Sequence, residues 1–173
     1  MKKWIIGVIV LCLVFFVGST LYNTYKESKE KESVQLSKNV QATDFTLPLL
    51  SGEEVTLQEY QGKIIILNFW ASWCEPCNKE APHLQNFYKK HKRDVEILAI
   101  NVTTKDNRTD VEKFVEKYHL TFPVLLDESG DTSTMYGAFS FPTTIIIDRE
   151  GTINQEILGP LNDDLLDNLI KTL

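Results

Sequence analysis

Cys74 and Cys77 stand close in sequence, with Glu75 and Pro76 between them. Two thiols at that spacing can pass electrons to a partner by making and breaking a disulfide. The residues around them say where the pair must sit. Ile64-Ile65-Ile66-Leu67-Asn68-Phe69-Trp70 is an apolar, branched run that reads as a strand buried on both faces. Beyond the pair, Ala81, Leu84, Phe87, Tyr88 and His91 recur at helical spacing, which sets Cys74 at a helix N-terminus. Unpaired backbone N–H groups and the positive end of the helix dipole stabilise an anion there. Such a position lowers a thiol pKa from about 8.5 to between roughly 3.5 and 7.5, so Cys74 is expected to be an outward-facing thiolate nucleophile.

The intervening residues tune the pair. Pro76 fits a first helical turn because its missing N–H is not needed there. Glu75 has two opposed effects: its charge beside Cys74 resists thiolate formation, yet an acid near a helix start favours the dipole. A zinc site would need about four ligands. The chain offers one CxxC, with His83 as the nearest third candidate, so no metal is expected and His83 reads as a helix-surface or groove residue.

Composition limits the partners. Residues 1–40 carry six Lys/Arg against three Glu, whereas residues 41–173 carry 12 against 21. An acidic domain on a basic stalk is a poor nucleic-acid binder. No charge lies between Lys3 and Lys26, and Trp4 to Tyr22 is mostly Ile, Val, Leu and Phe, close to the roughly 20 residues that cross a bilayer. Lys2 and Lys3 precede this run, which orients the N-terminus inside and the rest of the chain outside the cytoplasm. Val17-Gly18-Ser19 is a weak cleavage site, so residues 1–25 are expected to be an uncleaved signal-anchor, single-pass in the cell membrane. Residues 26–41 then form a charged tether, and 42–173 one domain. Outside the cytoplasm cysteines tend to pair for structure, but this domain has only Cys74 and Cys77, too close to staple a fold. A working dithiol is the better reading.

Along the domain, Phe45-Thr46-Leu47 and Val55-Thr56-Leu57 flank Ser51-Gly52-Glu53 as a hairpin, with Pro48 confining the first strand to an edge. Val95 to Asn101 is a second strand, completing a βαβ unit. Thr109-Asp110-Val111-Glu112 reads as a capping box opening a helix, and Phe122 to Leu126 as a short strand. Asp131 to Tyr136 is a brief helix closed by Gly137. Thr143 to Asp148 and Ile153 to Leu158 form a terminal hairpin, and Leu161, Leu165, Leu166, Leu169 and Ile170 the stripe of a last helix.

Alternating strands and helices, a dithiol at the first helix and a proline before a late strand resemble the thioredoxin fold. More narrowly, the chain resembles the membrane-anchored TlpA/ResA-like thiol-disulfide oxidoreductases. The resemblance rests on Asn68-Phe69-Trp70-Ala71-Ser72-Trp73-Cys74-Glu75-Pro76-Cys77, Glu80-Ala81-Pro82 and Phe141-Pro142-Thr143-Thr144, and covers about 42–173. It implies an α/β fold: a central mixed sheet flanked by helices, an N-terminal β-hairpin, and an additional helix and strand matched by Asp110 to Leu126.

Cys74 is then the attacking thiolate and Cys77 the resolving thiol, buried in the first turn; the redox-active disulfide replaces any cofactor. Thioredoxins proper carry a buried Asp where this chain has Asn68, which cannot titrate. The resemblance shifts that role to Glu80; otherwise Glu80 is an exposed helix acid beside Lys79. It also implies a cis Pro142 opposite the dithiol, with the Phe141 backbone free to pair with a substrate strand. Trp70 reads as core or groove wall, and Trp73 as a contact surface or as ordinary aromatic packing. Pro82 is expected to kink the helix.

By the same resemblance the activity is reduction of protein disulfides outside the cytoplasm, with apocytochrome c as the substrate implied and cytochrome c maturation as the process. Electrons would come from a membrane thiol donor of the CcdA type. A dithiol oxidase or isomerase, a spore-assembly reductase, or a redox-inactive binding module would share the same motifs. A peroxidase would instead use a lone low-pKa cysteine.

Overall fold

The computed structural model describes Trp4, residues 15–20 and residues 40–169. The chain divides into two compact units, Met1–Val34 and Gln35–Leu173. In the first, the described residues are helical, with the Ser19 and Thr20 hydroxyls donating to the Phe16 and Val17 carbonyls. Most of the expected span Trp4 to Tyr22, and all but the last two residues of the expected tether, lie outside the described residues. Among the described residues no helix is long and apolar enough to cross a membrane.

The second unit contains Cys74 and Cys77. Its strands are β1 (Val40–Gln41), β2 (Thr46–Pro48), β3 (Glu54–Thr56), β4 (Ile64–Trp70), β5 (Val95–Asn101), β6 (Val124–Leu126), β7 (Thr143–Ile147) and β8 (Thr152–Leu158). Helices α1 (Glu75–His91), α2 (Arg108–Tyr118), α3 (Asp131–Met135) and α4 (Asp163–Leu169) connect or follow them. Six strands form one mixed sheet in the order β1-β8-β7-β4-β5-β6, and β2 and β3 form a separate antiparallel pair. β4 runs parallel to β5 and antiparallel to β7, so it is central, which is why all seven of its residues are buried.

The two-residue period of β4 divides the core. Ile64, Ile66 and Trp70 pack with Ala81, Leu84 and Phe87 of α1, Val111 and Phe114 of α2, and Leu166 and Leu169 of α4. Ile65, Leu67 and Phe69 pack with Phe45, Leu47, Val55 and Leu57. The β2–β3 hairpin is therefore the lid on the sheet's second face. Each buried Ile, Leu or Phe contributes on the order of 1.5–3 kcal/mol, which holds the end of β4, and the loop leaving it, in place.

The thioredoxin-like architecture is as expected, and α2 with β6 is the additional helix and strand. Four local readings change. Val40 and Gln41 are not tether but an edge strand pairing with Ile153 and Thr152. Helix α2 is capped by Asn107, whose Oδ1 accepts from Asp110 N–H at 3.0 Å while Nδ2 donates to the Asp110 carboxylate at 2.7 Å; this reciprocal pair displaces the Thr109 box. Strand β6 begins after Pro123, which lacks a ladder N–H. Leu161 precedes α4, and Leu165 is 42% exposed while Leu166 and Leu169 are buried; Ile170 lies outside the described residues.

Candidate active site

Cys74 and Cys77 form a disulfide, their Cα atoms 5.3 Å apart. Cys74 caps α1 in an extended conformation (φ −74°, ψ 111°), and its Sγ accepts from Cys77 N–H at 3.2 Å. The sulfur therefore occupies the anion site at the helix start, as the sequence implies. It does not face outward in this oxidised state: Cys74 is 4% exposed and Cys77 1%. Burial follows from packing of both cysteines into the cluster that contains Trp70, Ala81 and the partly buried Phe141.

The loop before the disulfide is clamped. The Asp106 carboxylate accepts from Ser72 N–H at 2.6 Å, Ser72 Oγ at 2.7 Å, Asn101 Nδ2 at 2.8 Å and Asn107 N–H at 2.8 Å. Asn78 Nδ2 donates to the Ser72 and Cys74 carbonyls, and its own oxygen accepts from Tyr118 Oη at 2.8 Å. These residues escaped sequence reading. Asp106 lies in the β5–α2 connection, Asn78 on α1 and Tyr118 at the end of α2, so only the fold brings them around the loop, and no motif marks them.

Glu80 lies one turn beyond Cys77, turned inward and 1% exposed. Asn68 Nδ2 donates to Oε1 at 2.8 Å and Leu161 N–H to Oε2 at 2.9 Å. Asn68 Nδ2 also donates to Thr144 Oγ1 at 3.1 Å, its register partner on β7. Burial pushes the Glu80 carboxyl up to about 7, opposed by the hydrogen bonds from Leu161 and Asn68. Both donors are neutral, so the carboxyl can exchange a proton near neutral pH. Asn68 thus holds the titrating group instead of being one, and Leu161 acts through its backbone. Asn68, Trp70, Cys77 and Glu80 share the wall of a small internal cavity with apolar side chains from α1 and α2.

Glu75 is solvent-facing and ion-paired to Lys79 at 2.9 Å; the Lys79 hydrogen bond holds its carboxyl below the usual range. Pro76 is exposed beside it. Pro82 lies within α1, which continues past it to His91. His83 Nδ1 stands 3.1 Å from Asp163 Oδ2 on α4, and no metal-ligating cluster occurs among the described residues.

The Phe141–Pro142 bond is cis. β7 begins at Thr143 opposite Phe69, so Pro142 lies by the end of β4 from which the disulfide loop leaves. Trp73 is 62% exposed, with its ring 6.1 Å from that of Phe141. Trp70, in contrast, is buried against Phe114 at 4.3 Å. The two tryptophans thus divide into rim and core.

A dithiol at a helix start, a buried acid one turn on and a cis proline alongside define a thioredoxin-fold thiol-disulfide oxidoreductase, whose electron carrier is the cysteine pair itself. Residues 39–156 match the model of the AhpC/TSA family. The chain is 38% identical to the thioredoxin-like protein YneN of Bacillus subtilis, over 93% of this chain and 92% of that one. It is 36% identical to the thiol-disulfide oxidoreductase ResA of Bacillus thuringiensis, over 96% and 93%. The crystal structure of StoA from Bacillus subtilis superposes with a TM-score of 0.66 at 31% identity, covering 76% of this chain and 98% of StoA. The chain belongs to the AhpC/TSA family, in its ResA/YneN-like group of thiol-disulfide oxidoreductases.

Proposed function

We propose that the protein reduces disulfides of exported proteins while tethered to the outer face of the cell membrane. The observation that carries this reading is Glu80, buried one turn from Cys77 with neutral donors only. Its charge, when present, raises the energy of a neighbouring thiolate and so favours the disulfide form of the pair. A dithiol that prefers to be oxidised gives its electrons away.

In the reduced enzyme the Cys74 thiolate attacks a substrate disulfide, forming a mixed disulfide and expelling one substrate thiolate. Cys77 then loses its proton to the Glu80 carboxylate and attacks Cys74 Sγ. This step releases the second substrate thiolate and forms Cys74–Cys77. Two electrons pass to the substrate, whose two thiolates take up protons from solvent and from Glu80.

The uncharged run from Trp4 to Tyr22 behind Lys2 and Lys3 supports an anchor with the domain outside. The kinship with ResA-named proteins supports apocytochrome c as substrate and a membrane thiol donor of the CcdA type as the source of electrons. Trapping tests the reading. Cys77→Ala cannot resolve the mixed disulfide, so membranes from cells expressing it should yield an apocytochrome c bound to Cys74 and released by reductant. Recovery of another protein would replace the substrate, and an intact Cys74–Cys77 pair that oxidises dithiol substrates but fails to reduce disulfide ones would reverse the direction.

A further inference from the structure

The turn between β5 and α2 carries a cation to the rim of the disulfide. Lys105 N–H donates to the Val102 carbonyl at 2.9 Å, and the Lys105 carbonyl accepts from Trp73 Nε1 at 2.7 Å. The following Asp106 is the clamp already described. The Lys105 backbone is thus ordered before any partner arrives, while its side chain is exposed with Nζ 5.3 Å from the centre of the Phe141 ring.

Lys117 lies along an open groove that leads away from Trp73 between Ser72, Asn78, Lys113 and Phe114. Its Nζ stands 3.4 Å from Asn78 Oδ1 and 4.7 Å over the Tyr118 ring. Of the acids nearby, Glu75 pairs with Lys79 and Asp110 with Lys113; Asp106 keeps its charge, because its four donors are neutral. Among the described residues neither Lys105 nor Lys117 forms an ion pair. In a domain with 21 acids against 12 bases, the two cations outnumber the one unpaired acid, Asp106, beside the exposed indole, so the local excess is positive.

We propose that Lys105 and Lys117 select substrate disulfides flanked by acidic side chains. A carboxylate beside the attacked cysteine pairs with Lys105 across Phe141, and the substrate chain runs over Trp73 towards Lys117. This selectivity rests on the disulfide-reductase reading above. A rim ion pair acts on encounter and orientation more than on intrinsic affinity, and the pre-ordered Lys105 backbone limits the freedom lost on binding.

The test uses three otherwise identical disulfide peptides with Glu, Gln or Lys beside the reacting cysteine, and measures kcat/KM with the reduced protein. The Glu peptide should exceed the Lys peptide by about fivefold, the upper range of an exposed pair, with Gln between. About 0.5 M salt should bring the ratio towards one. Lys105→Glu should reverse the order. Because each ratio compares substrates on one protein, a partial loss of folding cancels. Equal rates for the three peptides, or an order unchanged in Lys105→Glu, would overturn the selectivity. Failure to reduce any of the three would instead overturn the reductase reading beneath it.

Discussion

Glu80 and Glu96 are two buried carboxylates with opposite surroundings. Glu96, on β5, is 5% exposed and meets a charge: Lys63 Nζ stands 2.9 Å from Oε2, and Tyr88 Oη donates to Oε1 at 2.7 Å. Glu80, about two turns before Tyr88 on α1, is 1% exposed and meets only an amide side chain and a backbone N–H. A buried carboxylate with a cation is an anchor, whereas one with neutral donors stays poised between its two protonation states. Only the second kind lies beside the cysteines.

The difference sets four expectations. The largest concerns the stability of the oxidised protein. The Glu80 carboxyl is raised from 4.5 to about 7 on folding, so the folded state binds the extra proton between those values. Stability is then full below about pH 4.5 and falls by about 3 kcal/mol as pH rises to about 7. Denaturant melts across that window should show this slope, and Glu80→Gln should remove it; an equally steep slope in the variant would place the titration elsewhere. Next, Glu80→Gln should slow the resolving step about 100-fold, the lower end for general base catalysis, and erase the inflection near pH 7. Quenched-flow decay of the mixed disulfide reads this directly.

Lys63→Met should make Glu96 resemble Glu80. Lys63 is partly exposed, so the loss is discounted to about 2 kcal/mol from the value for a fully buried pair. Denaturant melts at one neutral pH check it. Smallest, Tyr88→Phe removes one hydrogen bond to Glu96 and should cost about 1 kcal/mol without altering the pH profile of thiol exchange.

The residues that announced themselves did so through local pattern. The mostly apolar β4 run, the dithiol and the helical spacing of Ala81, Leu84 and Phe87 are all short-range signals, and resemblance supplied the cis Pro142. Glu80 was legible as a candidate but its orientation was not, because the groups that hold it come from β4 and from Leu161, 81 positions away. Asp106 and Lys105 were silent for the same reason. The helix caps show the limit within one element: Thr109 and Glu112 carry the right types, yet Asn107 and Asp110 satisfy each other and win. β1 was lost in the charged tether because two residues have no period.

Cys74, the attacking atom of the proposed reaction, is also the cap of α1, its sulfur accepting from the Cys77 amide. An ionised acceptor makes a stronger hydrogen bond than a neutral one. Electron loss therefore loosens the first turn, and electron gain tightens it. Hydrogen exchange at that single amide would then act as a built-in gauge of redox state, slow in the charged enzyme and faster once its electrons have been spent.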